Sequence, residues 1–339
     1  MAKNVTIKDV AAAAGVSVAL VSFVMNNRIE SDGKRKYRVN EATKRKILDV
    51  AKRLNYRPNS AAKMLQSGRS KVIGVILSDI SNVFYGEIAR LLEEIAFSHG
   101  YTVLFGSTDE QQEKMDRLVN SFMDKGVDGF IIVPCEGSEP TLAYIMEKQI
   151  PLVLMDRRNF DFPVPKILLD GKAAMKKAMD LLVRKDIRKI EMLSYTMRVS
   201  SIADREEGFV ESMKALGCPD EDIRIHRLPF NNLEETAAEV LPEIVGRGAE
   251  GLVFATNSLT ITAVKKLLEM NVKVQRDIFI VGFDNSDVYD CFFPHIPYVH
   301  QPIDKICDSA MSALMELIEN GPEAQIKEIV LDSEVVERN

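Results

Sequence analysis

Residue types that could carry catalysis occur in this sequence, but their spacing matches none of the usual catalytic sites. Gly246, Gly248 and Gly251 have the Gly-x-Gly-x-x-Gly spacing of a loop that binds dinucleotides. They precede the apolar run 252–255, whereas this chemistry needs the glycines after a strand and at the start of a helix, so we interpret them as a turn that ends a helix. The four histidines lack metal-ligand spacing, the four cysteines lie far apart, and there is no Gly-x-Ser-x-Gly motif. We therefore predict that the protein is not an enzyme and expect no catalytic residue, no metal site and no cofactor.

Basic residues are concentrated at one end of the chain. Residues 1–71 contain 16 Lys and Arg against 5 Asp and Glu, which is a net charge of +11 within a chain whose total is -6. A basic end on an acidic body is typical of a protein that presents that end to a polyanion such as DNA. A solvated basic surface or a flexible arm would have the same composition, so charge alone leaves both interpretations open.

Length and composition indicate a globular protein with more than one domain. A chain of 339 residues is long enough for two or three domains, and 46% hydrophobic with 28% charged residues is ordinary for a soluble protein. Residues 1–10 have no apolar core of the secretory kind, and no run approaches the roughly 20 apolar residues of a membrane helix. The unpaired cysteines are expected to be reduced thiols. The sequence therefore predicts a cytoplasmic protein without a membrane partner.

The basic end contains the pattern of two short helices joined by a tight turn. Thr6 and Asp9 are spaced as a capping box at the start of an alanine-rich helix, and Gly15 can adopt the left-handed conformation that ends it. Ser17 is the predicted cap of a second helix. Two such helices predict a helix-turn-helix, whose second helix fits the major groove of DNA. The side chains near the start of that helix that could reach DNA are Val18, Ala19, Ser22 and Phe23.

A third helix is expected to complete this small core. Asn40 is its predicted N-cap, and Pro58 separates it from a short alanine-rich helix at 60–66. The apolar residues at helical spacing are Ile47, Leu48, Val50, Ala51 and Leu54. We expect this stripe to pack against the first two helices.

From residue 72 onward, short apolar runs alternate with helical stretches such as 85–99 and 112–125. The apolar runs are 72–77, 102–105, 129–133, 152–155, 190–193, 252–255 and 279–282. This alternation is typical of an α/β fold in which helices cover both faces of a parallel sheet. The two successive sets of runs predict two such sheets.

The order of these motifs resembles the lactose-repressor and galactose-repressor family of bacterial transcriptional regulators, over nearly the whole chain. In the basic end the resemblance is carried by Thr6, Asp9-Val-Ala, Ala14-Gly-Val-Ser17, Val21-Ser22, Asn26, Leu54-Asn-Tyr56, Pro58-Asn59 and Ala62-x-x-Leu65. In the body it is carried by Ile73-Gly-Val, Asp79 to Tyr85, Gly126-Val-Asp-Gly129, Asp156-Arg157, Arg205-x-x-Gly208-Phe209, Ala255-Thr-Asn257, Gly282-Phe-Asp-Asn285 and Gln301-Pro302.

The resemblance implies a small all-α helix-turn-helix headpiece followed by a two-lobed body, built like a periplasmic binding protein from two doubly wound parallel sheets. The implied domains are the headpiece at 1–57, a hinge helix and linker at 58–71, and an effector-binding and dimerisation domain at 72–339. The implied lobes are lobe 1 at about 72–169 and 303–322, and lobe 2 at about 170–300 and 323–339.

The family's function implies a homodimer that binds a palindromic operator in double-stranded DNA and acts as a repressor. A small-molecule effector, expected to be a sugar or a sugar derivative, would control it allosterically through the hinge. A sugar-binding transport protein, which shares the two-lobed body, is the alternative interpretation. The basic headpiece and the lack of a signal sequence argue against that alternative.

The resemblance also implies a set of DNA-contacting residues, including a hinge leucine wedged between base steps. These are Thr6, Ser17, Val18, Ala19, Ser22, Phe23, Asn26, Tyr56, Asn59, Ala62 and Leu65. The chain departs from the family at Leu20 and Phe23, where members usually have Thr and Arg, and in a basic insertion at 29–38. The insertion would either contact phosphates or form a loop. The operator sequence therefore does not follow by analogy.

The effector-binding residues implied by the resemblance follow predicted strands or lie at the rim of the cleft between the lobes. They are Asp79, Phe84, Tyr85, Asp156, Ser201, Arg205, Phe254, Asn257 and Asp284. Aromatic faces would stack on a sugar ring, while Arg and Asp would make paired hydrogen bonds to its hydroxyls. Ser258 stands where the family usually has Asp, so the hydrogen bond expected from that carboxylate is absent.

Overall fold

The computed structural model describes residues 5–25, 39–56, 68–158, 160–321 and 328–337. The chain divides into two compact units, Met1–Ser70 and Lys71–Asn339. The division falls next to the end of the basic segment identified from the sequence.

The described part of the first unit contains three helices packed around one small core. The helices are α1 (Ile7–Ala14), α2 (Val18–Met25) and α3 (Glu41–Arg53). The core side chains are Val10, Ala11, Ala14, Val21, Val24, Ile47, Val50 and Ala51. Helices α1 and α2 meet at an angle of 108°, within the range of helix-turn-helix units.

The residues that begin and end these helices are those predicted from the sequence. Asp9 accepts hydrogen bonds from the backbone N–H of Thr6 (2.8 Å) and from its hydroxyl (2.7 Å), which confirms the capping box. Gly15 ends α1 with φ at +66°, and Asn40 caps α3 through the N–H of Ala42 (2.9 Å). The predicted stripe of α3 is wrong at Leu48, which is 42% exposed, because its neighbour Ile47 already fills the inward position.

The second unit contains two six-stranded sheets with helices packed against them. The strands are β1 (Val72–Leu77), β2 (Thr102–Ser107), β3 (Phe130–Ile132), β4 (Leu152–Met155), β5 (Lys166–Leu169), β6 (Ile190–Tyr195), β7 (Ile225–Leu228), β8 (Gly251–Phe254), β9 (Phe279–Phe283), β10 (Tyr298–His300), β11 (Glu328–Leu331) and β12 (Glu334–Val336). The first sheet has the order β11-β5-β4-β3-β1-β2 and the second β12-β10-β9-β8-β6-β7. The helices are α4 (Val83–Ser98), α5 (Gln112–Asp124), α6 (Glu139–Glu147), α7 (Gly171–Arg184), α8 (Ser200–Ala215), α9 (Leu233–Gly246), α10 (Asn257–Glu269) and α11 (Ile303–Asn320).

The carboxyl-terminal part of the chain differs from the predicted lobe boundaries. Strand β11 pairs in parallel with β5 of the first sheet, from Glu328 opposite Lys166 to Leu331 opposite Leu169, so assigning all of 323–339 to lobe 2 is wrong. Only β12 joins the second sheet, where it runs antiparallel to β10. The second sheet is therefore not purely parallel, and the chain crosses between the sheets a third time after Leu331.

In the described part of the chain, no single helix is long and apolar enough to cross a membrane, although the bent pair α1 and α2 reaches that length and composition when taken together.

Helices α7 and α8 approach each other closely at Gly208. A Cβ atom on Gly208 would lie 2.5 Å from the backbone carbonyl oxygen of Lys172 and 3.0 Å from Cβ of Met175. Neither atom is the end of a flexible side chain, so the helices would have to move apart. This contact fixes the position of α8, whose first turns carry Ser201 and Arg205.

We expect Gly208→Ala to lower the free energy of unfolding by about 1–3 kcal/mol, because overpacking outweighs the gain in helix propensity. The matched control is Gly246→Ala at the end of α9, where no neighbouring atom lies within 4 Å of the new Cβ. That change should be neutral or stabilise by up to about 1 kcal/mol. Urea unfolding of both variants measures this, and equal effects would show that the α7–α8 contact is not tight.

Candidate functional site

The start of α2 presents an exposed surface on the first unit. Ser17, Val18 and Ala19 are exposed, with Val18 at 40%, whereas Val21 and Val24 on the other side of the helix are buried. The hydroxyl of Ser17 accepts from the N–H of Leu20 at 3.2 Å, which confirms its capping role. The exposed side chains are those that a helix-turn-helix offers to base edges.

The other predicted DNA-contacting residues occupy different environments. Ser22 is half-buried, and Phe23 and Tyr56 pack against the headpiece core, where burial raises the pKa of Tyr56. Thr6 is exposed, and its hydroxyl donates a hydrogen bond to Asp9. The remaining predicted contacts and the basic insertion at 29–38 lie outside the described residues. Those contacts are Asn26, Asn59, Ala62 and Leu65.

The second unit contains a cleft that opens to solvent and is lined from both sheets. Its walls are built from segments that directly follow strands β1, β2, β4, β8, β9 and β10, as expected for parallel sheets. Of the nine predicted effector-binding residues, the structure brings seven together here. They are Asp79, Phe84, Tyr85, Asp156, Ser201, Arg205 and Asp284.

Phe254 and Asn257, the other two predicted residues, do not line the cleft. Phe254 ends β8 with 1% of its surface exposed and belongs to the core of the second sheet. Asn257 is buried at the start of α10, where its side-chain amide donates to the carbonyl of Asn285 at 3.0 Å. It thereby holds the loop that follows β9. Their neighbours Thr256 and Ser258 face the cleft instead.

Several cleft carboxylates sit at backbone positions with positive φ, directly or shortly after strands. Asp156 follows β4 with φ at +67°, Asp284 follows β9 with φ at +62°, and Glu110 lies after β2 with φ at +59°. This conformation costs free energy for residues other than glycine, and such strain concentrates at functional sites. It ends each strand abruptly at the rim where the carboxylate is needed.

Glu110 and Arg157 form a buried ion pair that the sequence analysis did not include in the site. Arg157 donates to both carboxylate oxygens, from Nη1 at 2.8 Å and from Nη2 at 2.5 Å, and Nη1 also donates to the carbonyl of Pro134 at 2.5 Å. Burial opposes both charges, but the pairing outweighs it, because the pKa of Glu110 is lowered and that of Arg157 is raised. Glu110 stands in the polar run that follows the apolar run 102–105, which was the available signal.

Arg205 is held by backbone and aromatic contacts. Its Nη1 donates to the carbonyl of Ala255 at 2.5 Å, and its guanidinium lies 4.0 Å from the centre of the Phe283 ring. The Nε atoms of Arg205 and Arg157 are both buried and have no hydrogen-bond partner among the described residues. Both arginines line the cleft, so each retains one N–H that a ligand could use.

Asp156 links the two lobes across the cleft. One oxygen, Oδ2, accepts from the Tyr85 hydroxyl at 3.3 Å and from the Ser201 hydroxyl at 3.2 Å, and Oδ1 lies 3.9 Å from Nη2 of Arg205. Tyr85 belongs to a helix of the first lobe, whereas Ser201 and Arg205 belong to α8 of the second. The carboxylate therefore contacts side chains of both lobes.

Asp284 is a buried acceptor with a perturbed pKa. The residue is 5% exposed, and Oδ1 accepts from Nε2 of Gln301 at 2.7 Å. Burial raises the pKa of its carboxyl to about 6, although the charge of Arg205 and the Gln301 hydrogen bond lower it in part.

This shift predicts a pH-dependent difference in stability between the wild type and Asp284→Asn, which preserves shape and tolerates positive φ. Between about pH 4 and pH 6 the native carboxyl holds a proton that the unfolded chain has lost. The contribution of Asp284 is thus complete below about pH 4 and is lost as the pH rises through 6. The free energy of unfolding of the wild type should fall relative to the variant by on the order of 2–3 kcal/mol from pH 4 to pH 7. Urea unfolding at each pH measures this. A difference in the free energy of unfolding between the two proteins that stays constant from pH 4 to pH 7 would contradict the assignment.

Comparisons with known proteins agree with both units. Residues 6–59 match the bacterial regulatory proteins of the lacI family, and residues 179–339 match the periplasmic binding protein-like domain. The HTH-type transcriptional regulator RegA of Clostridium saccharobutylicum is 32% identical over 337 residues, 98% of each chain.

Solved structures share the fold over nearly the whole length. The Lac repressor dimer bound to operator and the anti-inducer ONPF superposes with a TM-score of 0.83 at 21% identity, covering 99% of this chain and 98% of that one. The transcriptional regulator CelR in complex with cellobiose has a TM-score of 0.69 at 20% identity and covers 98% of each chain. The exposed recognition helix, the two-lobed cleft and the full-length similarity to RegA lead to one conclusion: the chain belongs to the LacI family of bacterial regulatory proteins and is a DNA-binding transcriptional regulator, not an enzyme.

Proposed function

We propose that the protein is a repressor that binds a palindromic operator as a homodimer and is controlled by a sugar or sugar derivative bound in the cleft. The observation that carries the proposal is the convergence of hydrogen-bonding groups from both lobes on one cleft, in a chain whose basic headpiece exposes a recognition helix. Action on DNA also supports a cytoplasmic location. A transport protein with the same body would have no use for the headpiece.

The chemistry of the cleft suits a polyhydroxylated ring. Sugar hydroxyls both donate and accept, and the cleft offers carboxylate acceptors at Asp284 and Asp156 beside unpartnered N–H donors at Arg157 and Arg205. Aromatic residues that could cover the faces of a ring also line the cleft. These are Phe84, Tyr85, Tyr195 and Phe230. CelR, which shares the fold, was solved with cellobiose, and this supports the same ligand class here.

Control would operate through the distance between the lobes. Asp156 already contacts both lobes, and the Nδ2 of Asn82 donates to the Ser258 hydroxyl across the cleft at 3.3 Å. Ser258, which departs from the family pattern, thus contributes a lobe-to-lobe hydrogen bond. A sugar that replaced or reinforced these bonds would favour one arrangement of the lobes over another.

The DNA-binding surface can be tested with a matched pair of charge substitutions. Val18→Glu, at the exposed start of α2, should weaken operator binding by about tenfold or more. In the complex with DNA the new carboxylate would be buried without a counter-charge. Leu48→Glu adds the same charge to the same unit on an equally exposed position of α3 and should have a clearly smaller effect. Fluorescence anisotropy on an operator selected from a random duplex library measures both. Equal losses would mean that α2 is not the reading helix.

The effector site can be tested with Asp284→Asn. Losing the carboxylate should weaken sugar binding about tenfold, since a ligand hydroxyl loses a charged acceptor, while operator affinity without ligand stays near that of the wild type. In the wild type, the affinity for sugar should also fall as the pH drops through about 6, where Asp284 is protonated, and this dependence should vanish in the variant. Calorimetry with the sugar found by screening measures both effects. An unchanged affinity would remove Asp284 from the site.

A further inference from the structure

We propose that the effector carries no phosphate or carboxylate group: the cleft selects an uncharged sugar and rejects its phosphorylated and acidic derivatives. This inference rests on the proposed function, namely that the cleft binds a ligand of the sugar class. It follows from the excess of negative charge in the cleft lining and from the carboxylates that its two arginines already face.

The charged groups that line the cleft are predominantly negative. Among the described residues of the lining, four carboxylates face two guanidinium groups, which gives these residues a formal charge of -2. The carboxylates are Asp79, Glu110, Asp156 and Asp284, and the guanidinium groups are Arg157 and Arg205. An anionic ligand would therefore enter a site whose own charge repels it.

Both guanidinium groups already face a carboxylate of the cleft. Both terminal nitrogens of Arg157 are bonded to Glu110, at 2.8 and 2.5 Å, and one also bonds to a backbone carbonyl. Arg205 is bonded to the Ala255 carbonyl at 2.5 Å and faces Asp156 at 3.9 Å. A phosphate would have to displace a buried carboxylate, which would leave that carboxylate without its counter-charge.

What remains on each arginine suits a neutral oxygen. Each has an Nε–H without a hydrogen-bond partner among the described residues, and one N–H can donate to a single hydroxyl or ring oxygen. A phosphate or carboxylate is usually bound by a bidentate fork or by several converging N–H groups. Arg157 presents no free fork, and the Nη2 of Arg205 faces the carboxylate of Asp156 at 3.9 Å.

Two of these carboxylates form no ion pair with a described residue. Asp284 is bonded to the neutral amide of Gln301 at 2.7 Å, and Asp79 accepts from the N–H and the hydroxyl of Ser81 at 2.9 and 2.6 Å. Asp284 is buried, so its field on the cleft is weakly screened. A second negative charge nearby would be repelled by Asp284, whereas a hydroxyl would donate to it.

The groove next to the cleft does not reverse this balance. It shares Tyr195, Met197 and Ile202 with the cleft, and its Arg227 is paired with Glu206 at 2.6 and 3.0 Å. Its other cation, Arg198, is exposed, where solvent and salt weaken its attraction for a distant anion.

The experiment compares matched sugars on the full-length protein by calorimetry at pH 7.5. The probes are glucose, galactose, ribose and cellobiose, the 6- or 5-phosphates of the three monosaccharides, and glucuronate and galacturonate. We expect at least one neutral sugar to bind, and its anionic counterparts to bind about a hundredfold more weakly or not at all.

Two variants test the electrostatic cause. Glu110→Gln removes the charge that neutralises Arg157 and should narrow the preference for the neutral sugar over its phosphate about tenfold. Asp79→Asn removes one negative charge without breaking an ion pair. It therefore tests the role of charge even if Glu110→Gln lowers the melting temperature. Asp79→Asn should also reduce the preference for the neutral sugar over its phosphate, but by a smaller factor than Glu110→Gln. In both variants the phosphate should gain relative to the neutral sugar.

The outcomes separate the two proposals. A phosphate or uronate that binds as tightly as its neutral counterpart, or more tightly, overturns this inference and leaves the proposed function standing. A preference for neutral sugars that neither variant alters also overturns it, because charge would not be the cause. If the protein binds no sugar of either kind, the proposed function fails and the inference fails with it.

Discussion

The burial of charge in the cleft is the constraint on which the second unit depends. Glu110, Arg157 and Asp156 form a chain of charges that continues to Arg205, with the Nε of Arg157 3.7 Å from Asp156 and the Nη2 of Arg205 3.9 Å from it. Removing a charge from water is costly, and the cost is offset only when partners are held in good geometry. The network therefore requires both sheets to present their carboxyl ends to one another, since its members come from segments that follow β2 and β4 of one sheet and from a helix of the other.

The same requirement joins the lobes without locking them. Besides the bonds of Asp156 and Asn82, Nη2 of Arg158 donates to Asp204 at 2.6 Å, and the backbone N–H of Arg158 donates to Ser200 at 2.7 Å. Each is a modest polar interaction that exchanges with water at little net cost. Because these bonds are individually weak and close to the cleft, a ligand that competes with them can shift the balance between lobe arrangements. Sensing thus depends on a contact surface that is polar rather than apolar.

The first unit follows a different physical logic. Its core is small, so its helices depend on local stabilisation: a reciprocal capping box, a left-handed glycine and a side-chain cap. Those features also set the angle between α1 and α2 and leave the start of α2 exposed. The energetic need for caps and the functional need for an exposed helix start are met by the same few residues, and Ser17 contributes to both.

Most of what the sequence alone determined is local. Capping residues bond within a few positions of themselves, and apolar runs mark strands buried on both faces, so the three headpiece helices, the two sheets and the carboxylates after β1, β4 and β9 were all predictable. The family motifs added Tyr85, Ser201 and Arg205, which line the cleft as predicted.

Tertiary structure decided what depends on distant partners. Glu110 and Arg157 are 47 residues apart, and only folding brings their charges together. Strand β7, with His and Arg among its four residues, lacks an apolar run, because pairing to β6 rather than burial of side chains makes it a strand. Phe254 and Asn257 stand beside true cleft residues in the sequence, yet the pleat of β8 and the first turn of α10 direct them inward. The direction of a side chain at the end of a strand depends on the local backbone conformation and on the residues that pack against it. A sequence motif specifies neither.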